Sequence, residues 1–190
     1  RGYQKNKIVE PNVTKVDNDE YATSSDLYSL FCARQHLKGD LVISYGDIVF
    51  KHFVLHALLN DPSEISVTVD SDFRKQGAAL DYVSATNNHE GGFFTELIQL
   101  KSISSVNPSA HNKFKNVDAE FIGLWKISES RVETVLRLMN LWNEEGVLKQ
   151  RSIPDLLNHL AMDEKINVKY IRGSWMDVDT IVDLQKAGML

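Results

Sequence analysis

The sequence predicts an α/β layer fold with a mixed, mainly parallel sheet flanked by helices. Three observations carry this. Strand-like and helix-like patterns alternate along most of the chain. The apolar run at 41–43 suits a strand buried on both faces. No repeat, low-complexity tract or linker divides the 190 residues, a length that supports one sizeable core.

The elements follow in order. Polar residues at 23–25 cap a helix whose Leu27, Leu30 and Phe31 share a face, and Gly39 stops it. After the strand at 41–43, KHFVLHALLN reads as a short helix ended by Asn60-Asp61-Pro62. ISVTVDSD alternates Ile65, Val67 and Val69, as a strand does. AALDYVSA, FTELIQLKSI and AEFIGLWKIS follow as strands, with a loop at 86–92 between the first two. Ser130 and Glu133 have capping-box spacing ahead of a helix carrying Val132, Val135, Leu136, Met139 and Trp142. Ser152-Ile153-Pro154-Asp155 opens another, with proline in the tolerated first turn and Leu156, Leu157 and Leu160 as its buried stripe. INVKYI alternates again as a strand. Thr180 and Asp183 cap a last helix whose stripe is Ile181, Leu184 and Ala187.

Composition narrows the function. The chain is 43% hydrophobic and 25% charged, with a net charge of −5. Without clustered Lys and Arg it does not suit non-specific nucleic-acid binding, which works by displacing counterions. No apolar run reaches the roughly 20 residues that span a bilayer, and no membrane role is expected. RGYQKNKIVEPN has a basic flavour but lacks the apolar centre of a signal peptide. The single Cys32 cannot form an intramolecular disulfide, which suits a reducing, cytoplasmic setting.

Two stretches can carry chemistry. In SYGDIVF a strand ends at Tyr45 and Gly46-Asp47 follows. Ligands of open α/β sheets bind beyond the carboxyl ends of strands, and Gly46 would let one approach the backbone. The plain alternative is a turn whose Asp47 caps the next helix. In WMDVDT, Asp177 and Asp179 share a side of an extended segment, where like charges repel unless a cation or proton lies between them. The alternative there is that Asp179 caps the last helix and Asp177 is exposed. Taken together, Asp47, Asp177 and Asp179 point to a three-carboxylate Mg²⁺ site, since this hard ion prefers carboxylate and phosphate oxygen. Arg172 and Trp175 flank the pair, placed to meet a phosphate or phosphonate by charge and an alkylammonium group by cation–π contact. Weaker features are the i, i+4 pair His52 and His56, the scattered His89, His111 and His159, and Asp70, Asp72 and Asp81, read as strand-end caps. No G-x-S-x-G nucleophile elbow is present.

GYQKNKI, YATSSDLYSL, GDLVISYGDIVF, AEFIGLWKIS and GSWMDVDTIVDLQKA follow one another in the order and spacing of nucleotidyltransferases with a GT-A-like, Rossmann-like fold. The chain most resembles the CTP-using branch, the phosphocholine and 2-aminoethylphosphonate cytidylyltransferases. The latter are often fused to phosphoenolpyruvate mutase. The resemblance implies in-line attack of an amino-phosphonate or phosphocholine oxygen on the α-phosphorus of CTP, with pyrophosphate leaving. It implies Mg²⁺ at Asp47, Asp177 and Asp179, all three catalytic. Ser24, Ser25, Tyr45 and Gly46 would face the nucleotide, and Arg172, Trp175 and Glu120 the acceptor. Ser24-Ser25-Asp26 stands where the family usually has Thr-Asn-Glu, so the usual asparagine is absent.

The family's G-x-G-x-R loop and its Pro-Lys do not occur in the 190 residues. The resemblance therefore implies that 1–190 is the C-terminal part of one nucleotidyltransferase domain, lacking the first strand and glycine-rich loop and with an antiparallel insertion at about 78–128. Such a piece is expected to be inactive alone, and to occur as a homo-oligomer or beside a fused mutase domain. Two alternatives stay open: a GT-A glycosyltransferase, and a catalytically incomplete nucleotide-binding domain attached to a phosphoenolpyruvate mutase.

Overall fold

A computed structural model of the chain describes residues 1–72, 80–86, 97–106, 117 and 119–190. Most of the loop expected at 86–92, with His89 and His111, lies outside the described residues. Those described form helices α1 (Asp26–Cys32), α2 (His52–Leu59), α3 (Glu129–Glu144), α4 (Ile153–Leu160) and α5 (Ile181–Ala187). The strands are β1 (Leu41–Ser44), β2 (Ile48–Phe50), β3 (Ile65–Asp70), β4 (Leu80–Ala85), β5 (Leu100–Val106), β6 (Ala119–Ile127), β7 (Ile166–Ile171) and β8 (Trp175–Asp177).

The main sheet has the order β5-β4-β6-β3-β7, with β1 also paired to β6; β2 and β8 form a separate ribbon. The α/β layering is as the sequence predicts, but the pairing is mostly antiparallel. Among the described residues only β3 and β7 pair in parallel. The reason lies in β6. Strands β1, β3 and β4 each run antiparallel to it, and β7 runs with β3. Four strands thus share one direction. β6 runs against them from the middle of the sheet, so most ladders become antiparallel. Alternation along the sequence reveals the crossovers and not the strand inserted between them.

One face of the sheet is covered by α1, α3 and α4. Val67, Val69, Phe121 and Trp125 pack there with Leu27, Phe31, Met139, Trp142, Leu156 and Leu157. On the other face Val54 and Leu58 of α2 meet Ile122, Leu124, Ile171 and Trp175. Each fully buried aliphatic side chain contributes about 1.5–3 kcal/mol, so the first face supplies most of the stability.

The capping signals divide. Ser152 with Asp155, and Thr180 with Asp183, form the capping boxes their spacing predicts. Ser130 does not: α3 begins at Glu129 behind Ser128, two positions earlier than that spacing predicts, and the Ser130 hydroxyl donates to Glu64 instead. The α5 stripe is also corrected. Ile181 is 78% and Leu184 63% exposed, because α5 lies beyond the ribbon strand β8 and not over the sheet.

Candidate functional site

Tyr45, Gly46 and Asp47 form the turn that carries the chain from β1 into β2. The Tyr45 N–H donates to the Gly123 carbonyl of β6 at 2.9 Å. Its ring lies edge-on to Phe121, with centroids 6.0 Å apart. Gly123 makes this possible: a Cβ there would lie 2.1 Å from the Tyr45 ring, and its φ of +76° is one that glycine adopts freely. In the sequence, the signal for this contact is a lone glycine inside an apolar strand, which marks close approach of another chain segment. The Tyr45 phenol is pushed far above its ordinary range, first by burial and then by the carboxylates of Asp26 and Asp81. Burial likewise raises Asp81, aided by Asp26 and opposed by hydrogen bonds from Ser105 and Tyr45.

Asp47 is exposed and caps no helix, since β2 intervenes before α2. A Cβ at Gly46 would meet nothing within 4 Å, so the turn opens onto space. The ribbon brings the second motif here. Ile48 pairs with Asp177 and Phe50 with Trp175. The Val178 N–H then donates to the Asp47 carbonyl at 2.8 Å. Asp179 is exposed, and the N-cap of α5 is Thr180, so Asp179 is no cap either. The two motifs, separated by more than half the chain, thus lie side by side.

They do not form a three-carboxylate cage. Among the described residues no three His, Cys, Asp or Glu side chains gather to hold a metal ion. The register sets Asp47 level with Val178 and not with either aspartate. Asp177 has an interaction of its own.

Other expected site residues divide. Arg172 is exposed and has no ion-pair partner among the described residues, so its guanidinium can meet a ligand anion. Trp175 is 7% exposed and packs with Val54, Leu58 and Ile122. Its indole N–H donates to the Asp70 carboxylate at 2.8 Å, which makes it a core residue and not an open cation–π platform. Glu120 is 4% exposed, on β6 opposite Asp70. Ser25 is the N-cap of α1; its Oγ accepts from the Tyr28 N–H and donates to the Arg151 carbonyl. Ser24 donates to the Glu20 carbonyl at 2.9 Å and accepts from Asn18 at 3.0 Å. Both serines shape the start of α1. His52 and His56 lie on the surface of α2 with ring centroids 4.3 Å apart.

No family model matches the chain. It is 23% identical over 184 residues to a CTP:phosphoglutamine cytidylyltransferase of Campylobacter jejuni, a match covering 88% of this chain and 69% of that protein. Among solved structures, it superposes on an inositol-1-phosphate CTP transferase from T. maritima with a TM-score of 0.63 at 14% identity, covering 90% of this chain and 63% of that one. A CTP:phosphocholine cytidylyltransferase from Streptococcus pneumoniae gives 0.59 at 13% identity, over 89% and 64%. The fold is that of the nucleotidyltransferases. This agrees with the resemblance read from the sequence, and the chain spans less than two thirds of the length of these solved structures. In this nucleotidyltransferase fold, the turn after β1 and the ribbon strand β8 are the elements that meet at the candidate site.

Proposed function

We propose that the intact protein transfers a cytidylyl group from CTP to a small phosphorylated or phosphonate acceptor, releasing pyrophosphate. The observation that carries this reading is the junction at which Val178 bonds Asp47, because it joins two acidic motifs far apart in sequence. The relative from Campylobacter jejuni, named for CTP and phosphoglutamine, supports the nucleotide and the acceptor class.

Mg²⁺ commonly binds through one or two carboxylates and completes its shell with water and substrate phosphates. One or two of Asp47, Asp177 and Asp179 would serve that sparse mode, without a closed cage. When bound, the ion would neutralise charge on the phosphates. The chain's own groups do the rest. The open turn at Gly46 admits the nucleotide phosphates, and Arg172 pairs with the acceptor's phosphate or phosphonate. Positioning and charge neutralisation are the main demands of phosphoryl transfer, so no nucleophilic side chain is required.

Among acceptors we favour 2-aminoethylphosphonate or phosphocholine, with phosphoglutamine as the competitor to exclude. Pyrophosphate release by the intact protein, measured with CTP, UTP and ATP against these three and Mg²⁺, tests the reading. CTP-specific release with one acceptor is expected. Release of free nucleoside diphosphate, or none with any pair, would overturn it.

A further inference from the structure

We propose that Asp70 is a positioning residue for this transfer: by gripping the turn between β7 and β8, it sets the strand that carries Asp177 and Asp179 beside Asp47. The inference rests on the transfer reading for its purpose, but the grip can be tested without it.

Asp70 ends β3 and is 6% exposed. Its Oδ1 accepts the N–H of Gly173 at 3.1 Å and of Asp72 at 2.9 Å, and its Oδ2 accepts the Trp175 indole N–H at 2.8 Å. A buried carboxylate that accepts three N–H donors is fixed in position. The segment it holds is unusual. Gly173 and Ser174 are both left-handed, with φ of 57° and 66°. For serine this is costly, and it persists where surrounding contacts over-determine it. Those contacts are present. Ser71 donates to the Ile171 carbonyl through its N–H at 3.0 Å and its Oγ at 3.1 Å, and the Lys51 N–H donates to the Ser174 carbonyl at 2.9 Å.

From this anchor the lever is short. Trp175 is the first residue of β8 and Asp177 the last, and the next residue, Val178, bonds Asp47. A shift at Trp175 is therefore passed directly to the acidic pair. Asparagine cannot replace Asp70 without loss, because its amide nitrogen would face an N–H donor with no acceptor to offer.

The test uses Asp70→Asn and Trp175→Phe in the intact protein. Trp175→Phe keeps a buried aromatic ring and removes the N–H donor, together with part of the indole's volume. In Asp70→Asn the Trp175 indole N–H resonance should move. Val178 amide exchange should quicken at least tenfold while the β3–β6 and β1–β6 ladders stay protected. The kcat/KM for CTP should fall at least tenfold, with half-maximal activity at higher Mg²⁺, and Trp175→Phe should move the Val178 exchange, the kcat/KM and the Mg²⁺ requirement the same way by less. Unchanged Val178 exchange, or equal loss of protection across the sheet, would reduce Asp70 to an ordinary core contact. Absence of CTP turnover by the wild type would defeat the transfer reading, while the exchange data would still decide whether Asp70 sets 177–179.

Discussion

At the start of β3, Asp61 accepts from the Ser66 hydroxyl at 2.9 Å, the Asn167 amide at 2.6 Å and the Lys169 ammonium at 3.2 Å. At the end of the same strand, among the described residues, Asp70 accepts only N–H groups of the backbone and an indole, and it faces Glu120 across the ladder. Both aspartates are buried. Burial pushes Asp61 up, but hydrogen bonds from Ser63, Ser66 and Lys169 outweigh it and hold the group below its ordinary value. Asp61 has its cation within the fold. Asp70 is held by dipoles, and the strand it anchors leads to Asp177 and Asp179. One end of the strand is closed around its charge, and the other presents like charges to an incoming ligand.

The largest test of that contrast removes a carboxylate at the open end. Asp177→Ala or Asp179→Ala in the intact protein should cut Mg²⁺-dependent pyrophosphate release by about a thousandfold, equivalent to roughly 4 kcal/mol of transition-state stabilisation. Thermal stability should change little, at least for the exposed Asp179. Turnover equal to wild type would make the acidic pair surface decoration.

The closed end predicts a loss of stability. Asp61→Ala leaves Lys169 and Asn167 facing a buried gap and should cost about 3 kcal/mol. Urea unfolding at pH 7 measures it. Because the folded-state pKa of Asp61 is lowered, its contribution is fully present above the ordinary value of 3.8 and lost as pH falls through the folded value. The gap between wild type and variant should therefore close in acid. A gap independent of pH would mean that packing, and not charge, sets the cost.

Much of this was legible in the sequence. Period-two and helical spacing located β3, β6, β7, α3 and α4, because each buries one continuous face or both. The two acidic motifs were also legible, since each stands at the end of an extended apolar run. Partnership across the sheet was not. The direction of β6 depends on what lies beside it, and Ser130 lost its capping role to Glu64, a neighbour remote in sequence. Trp175 reads as an exposed aromatic beside charges, until Asp70 takes its N–H and α2 covers its ring. Asp70 looked like a strand-end cap, and it is one; which loop it caps is a tertiary fact.

The smallest effect tests whether negative charge near the open end is costly before any ligand arrives. Burial and the neighbouring Asp26 raise the Asp81 carboxyl, against hydrogen bonds from Ser105 and Tyr45. A raised folded-state value means that the folded protein holds this proton more tightly than the unfolded chain. Stability then falls as pH rises from 3.8 through the folded value, and at pH 7 the ionised group is a net burden. Asp81→Asn removes the charge and keeps an oxygen to accept from Ser105 Oγ. It should stabilise the protein at pH 7 by about 1 kcal/mol or less, a rise in Tm of about 2–4 °C at most. Below pH 3.8 the wild-type group is protonated in both states, and the gain should vanish. A lower Tm at pH 7 would show that the Ser105 and Tyr45 bonds outweigh the repulsion, and that this corner of the sheet tolerates its charge unaided.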